Sequence, residues 1–183
     1  RGGEVNMADS SKLVPFILSW ETDKYTNNKH DRGGATKYGI TLATWRRVGY
    51  DKNGDGVLNE EDVKRLTEED FHRVFKQNYW NACKAEIQDQ SVANMLVDFA
   101  YNSGVSKAVK HLQLVLGITA DGIIGNKTLY AINKSNGERL FEAFKKDRKA
   151  YLKRIAVGNQ KCFLKGWLRR VSYITYGNLK LNK

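Results

Sequence analysis

The chain has 183 residues, of which 41% are hydrophobic, and it carries a formal net charge of +11. This composition predicts a soluble globular protein with one sizeable core or two small ones. It shows no apolar run of membrane-spanning length and no charged-then-apolar leader. The two cysteines, Cys83 and Cys162, exclude a disulfide framework, and we expect both to be buried or free thiols.

The first predicted helix ends at a glutamate. Leu13, Phe16, Ile17 and Trp20 recur at the spacing of one helix face, and Glu21 follows Ile17 by one helical turn. Its carboxyl is therefore expected on or beside the apolar face, where a protonated acid can serve as a proton donor to a glycosidic oxygen. The alternative is an ordinary solvated glutamate at a helix end.

A glycine-rich, threonine-bearing segment comes next. Residues 33–41 read Gly-Gly-Ala-Thr-Lys-Tyr-Gly-Ile-Thr, and the strand signal of the sequence is confined to Ala35–Thr41. We expect this extended polar segment to fold back beside Glu21.

Residues 51–62 follow the pattern of a calcium-binding EF-hand loop. Oxygen ligands recur at the required spacing, and Gly56 stands at the sixth position, where the loop turns sharply. The predicted ligands are Asp51, Asn53, Asp55, the Val57 carbonyl and Asp62. The last position is Asp, as in dockerin-like loops. The alternative is an acidic surface turn with Asn59 or Glu60 near the N-cap of the next helix.

Apolar periodicity predicts helices along the rest of the chain, so the fold class is mainly α. The helix through Val92 and Phe99, closed by Gly104, is apolar on more than one side and is expected at the centre of the core. The other predicted helices span residues 60–78, about 106–116, 127–133, 138–157 and 167–176.

Much of the positive charge lies in the run Lys145–Lys149 and in the pairs Lys153-Arg154 and Arg169-Arg170. Apolar residues between these positions keep helical spacing, so we interpret the charges as the solvated face of packed helices rather than a dedicated binding stripe. The sequence carries no nucleic-acid-binding motif, and nucleic acid is not an expected partner.

Several motifs, in order, resemble glycoside hydrolase family 108, the bacterial N-acetylmuramidases with a lysozyme-like fold. The segment Gly33–Thr41 matches the family motif intact, whereas Glu21-Thr22-Asp23-Lys24-Tyr25 lacks the glycines that follow the family's glutamate. Downstream, residues 91–104, 117–133 and 166–171 resemble the predicted peptidoglycan domain of this family.

The resemblance implies a mainly α, lysozyme-like fold with a minimal β segment near the active site. It implies a catalytic region at residues 12–90, with the calcium loop as an insertion, and a predicted peptidoglycan region at 91–176, packed together as one unit. The implied activity is cleavage of the β-1,4 bond between N-acetylmuramic acid and N-acetylglucosamine, with Glu21 as the general acid.

The second catalytic group is open at this point. Asp31 is a candidate to stabilise the transition state or activate water, with Thr36 or Thr41 orienting that water, and Asp23 is a rival. Tyr25, Tyr38 and Trp80 are candidates to line the sugar cleft.

The chemistry itself needs no cofactor, and calcium is expected to be structural. The expected partner is the glycan strand of peptidoglycan, bound by a monomer without a membrane span that acts on the cell wall in the periplasm or outside the cell. A competing interpretation is a non-catalytic, calcium-stabilised cell-wall-binding module.

Overall fold

The computed structural model describes residues 5–28, 31, 33–84 and 86–183. The helices are α1 (Val14–Trp20), α2 (Leu42–Val48), α3 (Glu60–Lys64), α4 (Glu68–Val74), α5 (Gln90–Ser103), α6 (Val105–Leu116), α7 (Asn126–Lys134), α8 (Gly137–Ile155) and α9 (Leu164–Ser172). A π-helical segment, Phe75–Trp80, follows α4, and short 3₁₀ turns span Ser10–Lys12 and Gly158–Phe163.

The β structure consists of a three-stranded antiparallel sheet and a short hairpin. Strands β1 (Thr26–Asn28), β2 (Gly34–Lys37) and β3 (Ile40–Thr41) pair in chain order, and β4 (Ile174–Thr175) pairs with β5 (Asn178–Leu179). The turn between β2 and β3 places Tyr38 and Gly39 at φ values of 53° and 73°, in the left-handed region that glycine adopts without strain. This tight turn brings the sheet back toward the end of α1.

Helix α5 is the central element of the core. Every residue from Ser91 to Tyr101 is buried, and the helix packs against α6 and α8. Asp89 caps its N-terminus by accepting a hydrogen bond from the backbone of Val92, and Gly104, at φ 92°, ends it. The prediction of a central helix closed by Gly104 is confirmed.

A single hydrophobic core contains residues from both halves of the chain, including Phe16 of α1, Phe99 of α5 and Phe144 of α8. Within the residues that the structure describes, no helix is long and apolar enough to cross a membrane. The predicted mainly α, lysozyme-like fold with a small β segment is confirmed.

Two local predictions are wrong, and one helix is absent from the predicted elements. The single helix predicted at 60–78 breaks into α3, α4 and the π-helical segment, because Thr67 and Asp70 form a capping box that starts a new helix. Helix α2 was not predicted at all. The last predicted helix, 167–176, ends at Ser172, since the chain turns into the β4–β5 hairpin at Gly177, where φ is 83°.

Candidate active site

Glu21 stands where the first helix ends. It is the C-cap residue of α1, and its backbone N–H donates to the carbonyl of Ile17 at 2.8 Å. Its side chain is 21% exposed, so the carboxylate is held against the fold yet remains open to solvent. The predicted position of this acid at the end of an apolar helix is confirmed, but its immediate partner is a cation.

A buried arginine from the other end of the chain holds the Glu21 carboxylate. Nη1 of Arg170, in α9, donates to Oε1 of Glu21 at 2.6 Å. The Nη2 and Nε atoms of Arg170 donate to Oδ1 of Asp98 at 2.8 Å and 3.1 Å. Burial alone would lower the pKa of Arg170, but the charges of Asp98 and Glu21 raise it above its ordinary value. The guanidinium therefore stays charged and bridges the two carboxylates.

A second buried arginine completes the network behind Arg170. Nη1 of Arg148, in α8, donates to Oδ2 of Asp98 at 2.8 Å, and both side chains are buried. Although burial would raise the pKa of Asp98, the charges of Arg170 and Arg148 hold it below its usual value. The side-chain amide of Asn102, oriented to suit both neighbours, donates to Oε1 of Glu21 and accepts from Nη2 of Arg148, each at 3.3 Å. These contacts fix the acid to the central helix.

The β2–β3 turn closes over the other side of the Glu21 carboxyl. A Cβ on Gly39 would lie 2.8 Å from both Cδ and Oε2 of Glu21 and 2.7 Å from Cε1 of Tyr101, closer than real side chains approach. The hydroxyl of Tyr101 donates to the carbonyl of Tyr38, which ties this turn to α5. Only a glycine fits between the acid and the central helix, which explains the glycine at this position of the motif.

Asp31 and the two threonines gather around Gly33. A Cβ there would lie 3.1 Å from Cγ2 of Thr41, 3.5 Å from Oδ1 of Asp31 and 3.5 Å from Oγ1 of Thr36. The Thr36 hydroxyl donates to the carbonyl of Gly34, and the Thr41 hydroxyl caps α2 by accepting from the backbone of Thr44. Both hydroxyls therefore already form hydrogen bonds with nearby backbone groups.

A cavity of about 500 Å³, termed here the catalytic cavity, contains both candidate carboxylates. Glu21 and Asp31 line it, and Asp23 does not. The geometry therefore favours Asp31 over Asp23 as the second group. Aromatic side chains of Trp20, Phe163 and Trp167 form part of the wall, with the rings of Phe163 and Trp167 stacked at a centroid distance of 6.0 Å.

The aromatic residues predicted to contact sugar lie elsewhere. Trp80 is 2% exposed and packs on Phe75, so the prediction that it lines the cleft is wrong. Tyr25 lies under the ammonium group of Lys64, Tyr38 stacks on Phe71, and neither lines the catalytic cavity. Sugar contact by Tyr25 and Tyr38 stays a prediction.

The predicted calcium loop has the expected turn. The backbone N–H groups of Gly54 and Gly56 each donate to a carboxylate oxygen of Asp51 at 2.7 Å. Oδ1 and Oδ2 of Asp62 accept from the backbone of Lys52 at 2.7 Å and of Asn59 at 2.9 Å. Among the described residues, no three Asp, Glu, His or Cys side chains are arranged to hold a metal. The loop thus has the expected turn, while both oxygens of Asp62, at its last position, accept hydrogen bonds from backbone N–H groups.

The sequence-based interpretation of the basic residues missed both buried arginines. Arg148 is 1% exposed and Arg170 is 7% exposed, so they do not belong to a solvated face. Both stand on the apolar stripes of their helices, Arg148 between Phe144 and Tyr151, and Arg170 next to Val171. An arginine in register with core residues is the signal that identifies them as buried.

Two protein-family models match consecutive parts of the chain. Residues 14–104 match the family described as Glycosyl hydrolase 108, and residues 107–172 match the one described as Predicted Peptidoglycan domain. The two matches meet at the junction of α5 and α6, next to the catalytic cavity. The division of the chain predicted at residue 91 lies earlier and stays a prediction.

Among solved structures, SagA of Brucella abortus is similar, with 36% sequence identity and a TM-score of 0.76 over 90% of this chain and 90% of that chain. A comparison with curated proteins finds no match. Identity at this level over nearly the whole chain, together with the two family matches, is sufficient to assign the family. The chain belongs to the glycosyl hydrolase 108 family and is a glycoside hydrolase that acts on the peptidoglycan of the cell wall.

Proposed function

We propose that the chain is an N-acetylmuramidase that cleaves the β-1,4 bond between N-acetylmuramic acid and N-acetylglucosamine, with Glu21 as the general acid. The observation that carries this proposal is that Glu21 and Asp31 line one cavity of about 500 Å³. A pair of carboxyl groups on either side of a glycosidic bond is the arrangement that hydrolysis of such bonds requires. The cavity also offers the aromatic surfaces of Trp20 and Trp167 to sugar rings.

In this mechanism Glu21 donates its proton to the glycosidic oxygen as the bond to the sugar breaks. Asp31, in its ionised form, stabilises the positive charge that develops on the sugar or removes a proton from the attacking water. Arg170 and Asn102 hold Oε1 of Glu21, so the carboxyl is oriented before substrate arrives. This preorganisation avoids reorienting the acid during the reaction.

The test is the loss of hydrolysis in Glu21→Gln, measured on purified peptidoglycan by turbidity and by release of reducing ends. The amide cannot donate the proton, so we expect a rate lower by about a hundredfold or more, because general acids contribute on this order. Glu142→Gln, at an exposed position of α8, is the matched control and should keep full activity. Full activity of a folded Glu21→Gln would remove Glu21 from the mechanism.

Product analysis decides which bond is cleaved. Reduction of the new ends with borohydride, followed by mass spectrometry, should yield muramitol from a muramidase and glucosaminitol from a glucosaminidase. If wild-type protein binds peptidoglycan and releases no reducing ends, the chain is a non-catalytic wall-binding module instead.

We also propose that the loop 51–62 binds one structural calcium ion through Asp51, Asn53, Asp55, the Val57 carbonyl and Asp62. The support is the turn, in which both carboxylate oxygens of Asp51 accept from glycine N–H groups. Bound calcium would neutralise the carboxylates of the loop and stabilise the insertion between α2 and α3. It has no step in the hydrolysis.

A further inference from the structure

A second, larger cavity adjoins the catalytic cavity. It has a volume of about 1010 Å³ and lies between the end of α2, the π-helical segment, the start of α6 and the end of α8. Ser103 and Ile155 line both cavities, so the two are neighbours that meet at these residues. A group that leaves the catalytic cavity past Ser103 or Ile155 would meet the second cavity next.

Four cations and no carboxylate are among the described residues that line the second cavity, and the nearby Asp147 carboxylate is paired with His111 of its wall at 2.6 Å. Arg47, Lys107, Lys110 and Arg154 are exposed side chains on its wall, and we term it the basic cavity. None of these four forms an ion pair with any residue that the structure describes. Charges of one sign in a concave surface concentrate the field there, so the cavity attracts anions.

The start of α6 adds to this positive field. Residues 103–107 line the basic cavity, and the N-terminus of this 12-residue helix has no side-chain cap. Unpaired N–H groups and the helix dipole favour a negative group at this end. Two independent features, cations without an ion-pair partner among the described residues and a helix N-terminus, thus face the same cavity.

We propose that the basic cavity binds the anionic peptide stem that the muramyl residue of peptidoglycan carries on its lactyl group. This inference rests on the proposed function, because it places the glycan of the substrate in the catalytic cavity. A stem attached to a muramyl residue there must leave over a neighbouring surface, and the shared wall at Ser103 and Ile155 leads to the basic cavity. Its carboxylates would meet Lys107 and Lys110.

The volume supports this occupant. A cavity of about 1010 Å³ is at the upper end of the range of small-ligand sites and has room for a short extended peptide. An uncharged glycan such as chitin gains nothing from the four cations. The basic cavity would therefore make the enzyme selective for peptide-bearing peptidoglycan over uncharged glycans with the same β-1,4 linkage.

The kinetic test compares peptidoglycan strands that keep their stems with strands from which an amidase has removed them. We expect wild-type kcat/KM to be about tenfold higher on the peptide-bearing strands, because two exposed ion pairs together favour binding by about this factor. Lys107→Gln/Lys110→Gln should lose this preference and keep wild-type activity on stripped strands. The control, Lys146→Gln/Lys153→Gln, removes the same charge from exposed positions of α8 that line neither cavity and should keep the preference.

A binding experiment separates this inference from the proposed function. Titration calorimetry with Glu21→Gln protein should show binding of a soluble muramyl peptide, about tenfold weaker binding of N-acetylmuramic acid without a peptide, and the same loss in Glu21→Gln/Lys107→Gln/Lys110→Gln. If the wild type hydrolyses neither polymer while the muramyl peptide still binds through these lysines, the proposed hydrolysis fails and the basic cavity stands.

Two outcomes overturn the inference. One is equal turnover of both polymers by the wild type and by Lys107→Gln/Lys110→Gln. The other is displacement of the muramyl peptide by inorganic phosphate at an equal concentration, which would show a site for any anion rather than for the peptide stem.

Discussion

Nη1 of Arg170 lies 2.6 Å from Oε1 of Glu21, although the two residues are 149 positions apart in the chain. The same guanidinium is anchored on Asp98 at the centre of the core, and Asp98 is anchored in turn by Arg148. The orientation of the proposed acid is thus set by a series of ion pairs that leads from Glu21 to the central helix α5. Removal of any one charge leaves its partner without compensation.

Replacement of Arg170 should therefore affect both activity and stability. Arg170→Gln leaves the buried Asp98 with one cation and frees Glu21, so we expect the free energy of unfolding to fall by about 3–5 kcal/mol. Arg170→Lys keeps the charge but lacks the planar fork that contacts both carboxylates, and it should lose at least about tenfold in kcat. Denaturant unfolding and hydrolysis assays at a temperature where both variants are folded measure the two effects.

Arg139→Gln is the control for this prediction, since Arg139 is an exposed arginine on α8. It should change neither quantity. An Arg170→Lys enzyme with wild-type kcat would show that the contact to Glu21 has no part in orienting the acid.

Gly39→Ala should displace the acid. The added methyl would lie 2.8 Å from the Glu21 carboxyl carbon, so either the turn or the carboxyl must move. A shift of about 1 Å at a reacting group costs on the order of a hundredfold in rate. Gly177→Ala is a matched control, because Gly177 also has a positive φ, 83°, and its Cβ would meet nothing within 4 Å. Both variants should lower the melting temperature through backbone strain, Gly39→Ala more than Gly177→Ala because of the added clash, and only Gly39→Ala should lose kcat.

The two cysteines should react very differently in the native protein. Burial raises the pKa of the Cys83 thiol to about 12, so at pH 7.5 it is protonated as well as inaccessible. Cys162 is exposed and lines the catalytic cavity. A maleimide should therefore label one thiol in the native protein and two in the denatured protein.

A bulky label on Cys162 should also block access to Glu21 and reduce hydrolysis by at least about tenfold, in line with the loss of a productive substrate position. The Cys162→Ser enzyme, assayed before and after the same treatment, should keep its own activity. Full activity after complete labelling of Cys162 would show that substrate does not pass this side of the cavity.

Removal of calcium should lower the melting temperature if the loop 51–62 binds it. An ion that binds only the folded state stabilises that state by about 2.7 kcal/mol at a concentration 100 times the dissociation constant. Asp51→Asn should abolish the difference between calcium and chelator, whereas Glu60→Gln, an exposed neighbour outside the ligand set, should keep it. The absence of any calcium-dependent shift at millimolar concentration would leave the loop as a turn that caps α3 through Asn59.

The sequence predicted those parts of the fold in which local pattern and tertiary position agree. Helix α1 and the central helix α5 carry clear apolar periodicity, and the glycines of the motif at 33–41 correspond to a turn that the structure requires at Gly39. Periodicity places Glu21 at the end of α1, and its role as the acid is what the family resemblance implies. In each case the signal is contained within a few neighbouring residues.

The rest depended on contacts between distant segments. Arg148 and Arg170 were counted with their exposed neighbours, because charge alone does not tell which face of a helix an arginine takes. Trp80 was assigned to the cleft because an aromatic side chain suits sugar and core equally well, and the packing on Phe75 settles it. The basic cavity has no signal in the sequence, since its lysines and arginines come from three separate helices.

The pairing of Glu21 with Arg170 also has a consequence for biosynthesis. The ribosome makes Glu21 early, but the arginine that orients it becomes available only after α9 has left the exit tunnel and docked on α5. A nascent chain that has not yet reached Arg170 therefore lacks the contact that orients the Glu21 carboxylate. If Glu21 is the acid, we expect peptidoglycan hydrolysis to begin only after the chain has folded through α9.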